Sequence, residues 1–123
     1  MVLSVVAGNL LDLKENLDFM AREYGKEIIL VEVAHPRKEN GEYGKTPTPF
    51  PQTLEGQKEC LEEVNRLVLA APNRLGKGIF WWEPAVPLRR GISSRGIFDD
   101  DGSVSPVISV FDKHTRGRAQ KPQ

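Results

Sequence analysis

Residues 27–34 read Glu-Ile-Ile-Leu-Val-Glu-Val-Ala, and no other run limits the possible folds of this chain so tightly. Five of the eight residues are Ile, Leu or Val, and none between Glu27 and Glu32 is polar. A strand with one wet face alternates polar and apolar side chains. An unbroken apolar run reads instead as a strand covered on both faces, which is typical of parallel sheets layered with helices. Residues 78–82, Gly-Ile-Phe-Trp-Trp, form a second such run.

A helical pattern precedes each strand. Leu10, Leu13, Leu17, Met20, Ala21 and Tyr24 recur at three- and four-residue steps, with Asn9 placed to cap the start and Gly25 to end the helix. Thr53 opens a second helix to about Ala71, whose apolar face is Leu61, Val64, Leu67, Val68 and Ala71; Pro72 and Asn73 stop it. Residues 37–52 are loop, rich in Pro, Gly and Thr, and a long loop through Arg89, Ser93 and Gly102 follows the second strand. The segment from Pro106 to Phe111 reads as a short final helix or an extended piece. Helix–strand alternation of this kind implies an α/β fold with parallel strands and right-handed helical crossovers. The expected strands are Glu27 to Val33 and Gly78 to Trp82, paired side by side.

Composition excludes several classes of function. Lys plus Arg is 17 and Asp plus Glu is 17, so the net charge is zero, against the basic excess of a nucleic-acid binder. Only the tail, with Arg116, Arg118 and Lys121, is locally basic, and it reads as a solvated end. No apolar run approaches the ~20 residues of a membrane span. The opening Met-Val-Leu-Ser-Val-Val-Ala-Gly has neither the basic start nor the long apolar centre of a signal peptide. The single cysteine, Cys60, permits no internal disulfide and sits in a helical pattern as a packed thiol. Asp99, Asp100 and Asp101 lack the spacing of a calcium loop, and His35 and His114 lack partners at zinc-ligand spacing. The expected cofactor is none.

Two features point to chemistry. Glu32 is a carboxylate at the end of an apolar strand, where burial is costly unless it is paired or used. In parallel α/β folds the carboxyl ends of strands are where active sites collect. Simple alternation puts Ile28, Leu30 and Glu32 on one face, with Ile28 and Leu30 filling a barrel interior beneath Glu32, and Ile29, Val31 and Val33 on the other. The alternative for Glu32 is an ordinary ion pair. The second feature is Trp81-Trp82-Glu83-Pro84, again at a strand end. Adjacent tryptophans face opposite ways, so one can pack inward while the other offers a flat indole face to a sugar ring. Two core aromatics and a capping carboxylate explain the same residues equally well.

The segments Val-Glu-Val-Ala-His-Pro, Pro-Phe-Pro-Gln-Thr-Leu-Glu-Gly-Gln and Gly-Ile-Phe-Trp-Trp-Glu-Pro-Ala, in this order and spacing, resemble the last two βα units of arabinogalactan endo-β-1,4-galactanases. Residues 10–32 also resemble the helix and strand that lead into the first of these segments in that family. The resemblance runs from about Leu10 to Phe111. It implies the C-terminal part of a (β/α)₈ barrel, with residues 1–123 as a partial domain, residues 1–8 a poorly matching start and residues 113–123 a flexible tail. It implies retaining hydrolysis of β-1,4-galactan side chains of pectin. Glu32 falls on the nucleophile, while the acid/base glutamate follows a fourth strand that this sequence does not contain. Trp82, Glu83, Trp81 and His35 fall on substrate-binding positions, with Trp82 the expected sugar platform. Arg22, Arg37 and His35 are near Glu32 in sequence and are candidates to keep it ionised. Where the family often has aromatic residues, this chain has Arg37 and Val86. The expected partner is the polysaccharide, with no nucleic acid and no membrane; the missing barrel units, or self-association through exposed edges, are further expected contacts. Family members are usually secreted. Residues 1–123 alone are expected to be inactive. Alternatives are a non-catalytic remnant or sugar-binding fragment, or a related β-glycanase such as a mannanase or cellulase.

Overall fold

The computed structural model describes residues 9–39, 49–85, 95–99 and 101–113. The expectations placed on the opening segment, the basic tail, His114, Val86, Arg89, Ser93 and Asp100 fall outside these residues. The element order is α1 (Leu10–Tyr24), β1 (Ile28–Val33), α2 (Leu54–Leu69), a 3₁₀ turn (Pro72–Arg74), β2 (Gly76–Trp81) and a second 3₁₀ turn (Pro106–Ile108). Helical backbone continues from that last turn through residues 109–113, which resolves the helix-or-extended choice for this segment. β1 and β2 pair in parallel as a two-stranded sheet, as the alternation requires.

Local chemistry sets the helix limits. The Asn9 side chain accepts the Asp12 N–H, and that of Thr53 accepts the Gly56 N–H, each satisfying an amide that the first turn leaves orphaned. Such a cap is typically worth ~1 kcal/mol. Gly25 ends α1 at φ 58°, the left-handed conformation that costs glycine nothing. Gly56 is required for another reason. A Cβ there would lie 1.9 Å from the Pro51 carbonyl oxygen, so the loop rests directly on the helix backbone.

The core lies between the helices and one face of the sheet. Leu13, Leu17 and Ala21 of α1 and Cys60, Leu61, Val64, Leu67 and Val68 of α2 cluster with Ile28, Leu30, Val33 and Trp81 of the strands. Burying each large aliphatic side chain contributes about 1.5–3 kcal/mol. Tyr24, expected on this face, is exposed and meets Phe19 edge-on instead.

The strands depart from expectation in four ways. β2 starts at Gly76, two residues earlier than its apolar run, because Ile28 N–H donates to the Leu75 carbonyl and draws this backbone into the sheet. Among the described residues one face of the sheet is covered, while on the other Ile29 is 44% and Phe80 62% exposed. Ile28 and Leu30 pack against the helices, so they do not line the open face beneath Glu32. The alternation also breaks. Leu30 pairs with Ile79 and Val33 with Trp81, so Val31 and Glu32 together oppose Phe80 alone. This bulge turns Val33 onto the helix-facing side with Leu30, where simple alternation had put it on the opposite face.

Candidate functional site at the carboxyl ends of the strands

The last rungs of the sheet bring the two chemical features together. Val33 pairs with Trp81, and Trp82 N–H donates to the Val33 carbonyl at 2.8 Å. Glu32 therefore flanks one side of this rung and Glu83 follows on the other, at one rim of the sheet.

Glu32 is half-buried and sits at φ 59°. A left-handed conformation costs a residue with a Cβ about 1–2 kcal/mol. Bulges and such backbone outliers concentrate where a side chain is re-aimed for function. The three basic side chains proposed for Glu32 from sequence are engaged elsewhere. Arg22 lies on α1 beside Asp18, Arg37 pairs with Asp99 and donates to the Phe98 carbonyl, and His35 bonds to Pro51. Proximity along the chain misled here because residues 33–36, from the last residue of β1 onward, are buried and the His35 ring is bonded to Pro51.

His35 is buried, and its Nε2 lies 3.0 Å from the Pro51 carbonyl oxygen, with the ring edge-on to Phe50. A carbonyl only accepts, so Nε2 carries the proton and donates. Desolvation lowers the pKa of this imidazole, offset in part by the bond to Pro51, so it is neutral at pH 7.

The tryptophans divide as adjacent strand residues should. Trp81 is buried in the core cluster at 7% exposure, and its Nε1–H donates to the Arg95 carbonyl at 2.8 Å. Trp82 is 46% exposed. The Trp82–Glu83 peptide is cis, which the sequence did not suggest. Glu83 accepts from Arg95 Nη2 at 3.2 Å.

Beneath the rim lies a residue that sequence reading passed over. Gln57 is fully buried, and its Nε2 donates to the His35 carbonyl at 2.9 Å and to the Arg95 carbonyl at 3.2 Å. The signal was present: Gln57, Leu61, Val64 and Val68 form one helical stripe, and a polar side chain on a buried stripe must bond or be costly. Arg95 offered no such signal, since its role depends on a contact 38 residues away in sequence. The remaining chemistry-bearing groups lie apart from this rim. Burial pushes the Cys60 thiol up to about 12, which makes it inert. Asp101 accepts from the Ser103 hydroxyl and backbone, which lowers its pKa, and no group of His, Cys, Asp and Glu among the described residues could hold a metal ion. No helix among the described residues is long and apolar enough to cross a membrane.

Comparison with known proteins gives this rim its context. The model of glycosyl hydrolase family 53 matches residues 4–115. The endo-β-1,4-galactanase of Bacillus subtilis (strain 168) is 31% identical over 63% of this chain and 20% of its own length. The arabinogalactan endo-β-1,4-galactanase of Thermothelomyces thermophilus is 30% identical over 82% of this chain and 32% of its own. A solved fungal β-1,4-galactanase superposes with a TM-score of 0.74 at 30% identity, over 89% of this chain and 34% of that one. The chain thus spans a third or less of the length of these curated relatives. Its fold is an α/β piece of the (β/α)₈ barrel that its structural neighbours complete.

Proposed function

The chain belongs to glycosyl hydrolase family 53, and from that premise we propose that its strand ends are part of the active-site rim of a retaining endo-β-1,4-galactanase. The observation that carries this reading is Glu32: a carboxylate at the carboxyl end of a parallel strand, re-aimed by a bulge, in a chain similar to enzymes named for β-1,4-galactan.

In the proposed mechanism Glu32 is the nucleophile. Its ionised carboxylate attacks the anomeric carbon while a second carboxylic acid, roughly 5–5.5 Å away, protonates the departing glycosidic oxygen. The resulting glycosyl ester is then hydrolysed, with that second group acting as base. Glu83 is not that second group. Its carboxylate is tied to Arg95, an arrangement suited to orienting substrate or neighbouring side chains. Trp82 is the proposed sugar platform, because its indole is exposed at the rim. Trp81 and His35 fell on substrate-binding positions by resemblance; their burial supports a different role, holding the rim from below. The second carboxyl belongs to a strand outside these 123 residues, so residues 1–123 by themselves are proposed not to hydrolyse galactan.

The test uses a complete family 53 barrel carrying these residues. Glu32→Gly is expected to abolish turnover of β-1,4-galactan, and azide to restore cleavage of an activated galactoside by taking the nucleophile's place. Rescue at Glu83→Gly and not at Glu32→Gly would reverse the assignment. Turnover of mannan or cellulose in preference to galactan would move the reading to a related β-glycanase.

A further inference from the structure

We propose that Gln57 is a positioning residue that clamps the segment after β1 to the segment after β2, and so fixes where Glu32 and Glu83 stand relative to each other. The inference rests on the reading of these two glutamates as active-site groups.

Backbone pairing between the strands runs out at the rim. Its last contacts are Val33 with Trp81 and the Trp82 N–H to the Val33 carbonyl. Both carboxylate-bearing segments continue beyond it with no further rung between them among the described residues. Gln57 spans this gap from below. One of its bonds reaches the carbonyl of His35, three residues after Glu32, and the other reaches the carbonyl of Arg95. Two carbonyl oxygens face it, and only an NH₂ group can donate to both, so partner chemistry fixes the orientation of the amide. The Gln57 Oε1 is buried with no hydrogen-bond partner among the described residues, so what this position uses is the donor end.

The clamp acts on Glu83 through Arg95. The Arg95 carbonyl accepts both Gln57 Nε2 and Trp81 Nε1, and its guanidinium holds the Glu83 carboxylate. Gln57 thereby fixes a backbone point from which the buried indole and the rim carboxylate are both set. On the other side, the His35 imidazole is bonded to Pro51, whose carbonyl rests against Gly56, the residue before Gln57. The start of α2 and the loop before it therefore hold both strand ends through three positions: Pro51, Gly56 and Gln57.

The test measures the 123-residue chain with ¹⁵N-labelled Gln and Trp. In the unsubstituted chain the Gln57 side-chain NH₂ should exchange with solvent at least about tenfold more slowly than the chain's other glutamine amides, as a buried donor does. Fast exchange there overturns the clamp without any variant. In Q57M, which keeps the length and removes the donors, the Trp81 indole proton should lose protection and shift towards the position of Trp82. V64A, which opens the core on the same stripe without touching the network, should leave the Trp81 signal in place. An unchanged Trp81 signal in Q57M, or equal loss in V64A, would reduce Gln57 to packing. In a completed barrel, Q57M should lower kcat by between about tenfold and about 10²-fold with KM within about twofold, as misplacement of a reacting group does; an unchanged kcat overturns the proposal. None of the exchange measurements involves turnover, so they succeed or fail independently of the azide test.

Discussion

At the end of β1, Glu32 stands on left-handed backbone within a bulge, and its carboxylate makes no hydrogen bond or ion pair among the described residues. At the end of β2, one rung away, Glu83 precedes a proline and is tied to Arg95. Identical side chains at neighbouring strand ends are therefore held in opposite ways: the first by its main chain, the second by its carboxylate. A nucleophile needs oxygen lone pairs available to the reacting carbon, and only the first arrangement leaves them so. An anchoring group needs its charge engaged, and only the second provides that.

The largest effect that can break this comparison is on rate. In a complete barrel Glu32→Gly should lower kcat by about 10⁴-fold or more, as loss of a covalent catalyst does. Glu83→Gln should cost no more than about 10²-fold, as loss of positioning does. Initial rates on β-1,4-galactan measure both, and equal losses would erase the distinction.

Next in size is stability beneath the rim. Leu30 packs in the helix-facing core and Phe80 lies on the open face. Leu30→Ala should destabilise the chain by about 2–5 kcal/mol, whereas Phe80→Ser should change it by no more than about 0.5 kcal/mol. Denaturant unfolding followed by Trp fluorescence compares them. A large loss from Phe80→Ser would mean that the open face is covered in solution.

The two glutamates should also differ in the sign of their effect on stability. Glycine at position 32 relieves left-handed strain, so Glu32→Gly should stabilise the fold by about 0.5–1 kcal/mol. Glu83→Gly relieves nothing, loses a partly exposed ion pair and should destabilise by a similar amount. Matched signs would show that the backbone at Glu32 is not strained.

The smallest effect is a pH dependence at the β1 end. The folded chain holds the His35 pKa below its ordinary 6.5, so as pH falls the unfolded chain takes up that proton first. Stability from this group is complete above about 6.5 and declines below it, at no more than about 1.4 kcal/mol per pH unit. Unfolding between pH 7.5 and 5.5 should show the decline, and His35→Gln should flatten it. A slope that survives the substitution would assign the effect to carboxylates.

The sequence made some of these differences readable and hid others. Asn9, Gly25 and Thr53 announced the helix ends because capping is decided within three or four residues. The pairing of β1 with β2 followed from their apolar runs, and the family resemblance from the ordered segments around Glu32, Pro51 and Glu83. The bulge at Val31–Glu32 was not readable, because an extra residue in one strand is defined by its partner strand and leaves no mark on alternation. The same is true of Arg95, whose partners come from α2 and β2. Reading both strands as covered on two faces followed from their unbroken apolar runs. It was not true of this chain, where Ile29 and Phe80 lie open.

The contact between Gly56 and the Pro51 carbonyl has a consequence for engineering. Loops at barrel rims are attractive pieces to exchange between homologous enzymes when altered substrate preference is wanted. Here a junction cut between Pro51 and Gly56 would seat a foreign loop on a helix start shaped for another backbone, and any side chain larger than hydrogen at position 56 would push the two apart. Residues 49–57 therefore transplant as one cassette, and a chimera that respects this boundary should fold where one that splits it should not.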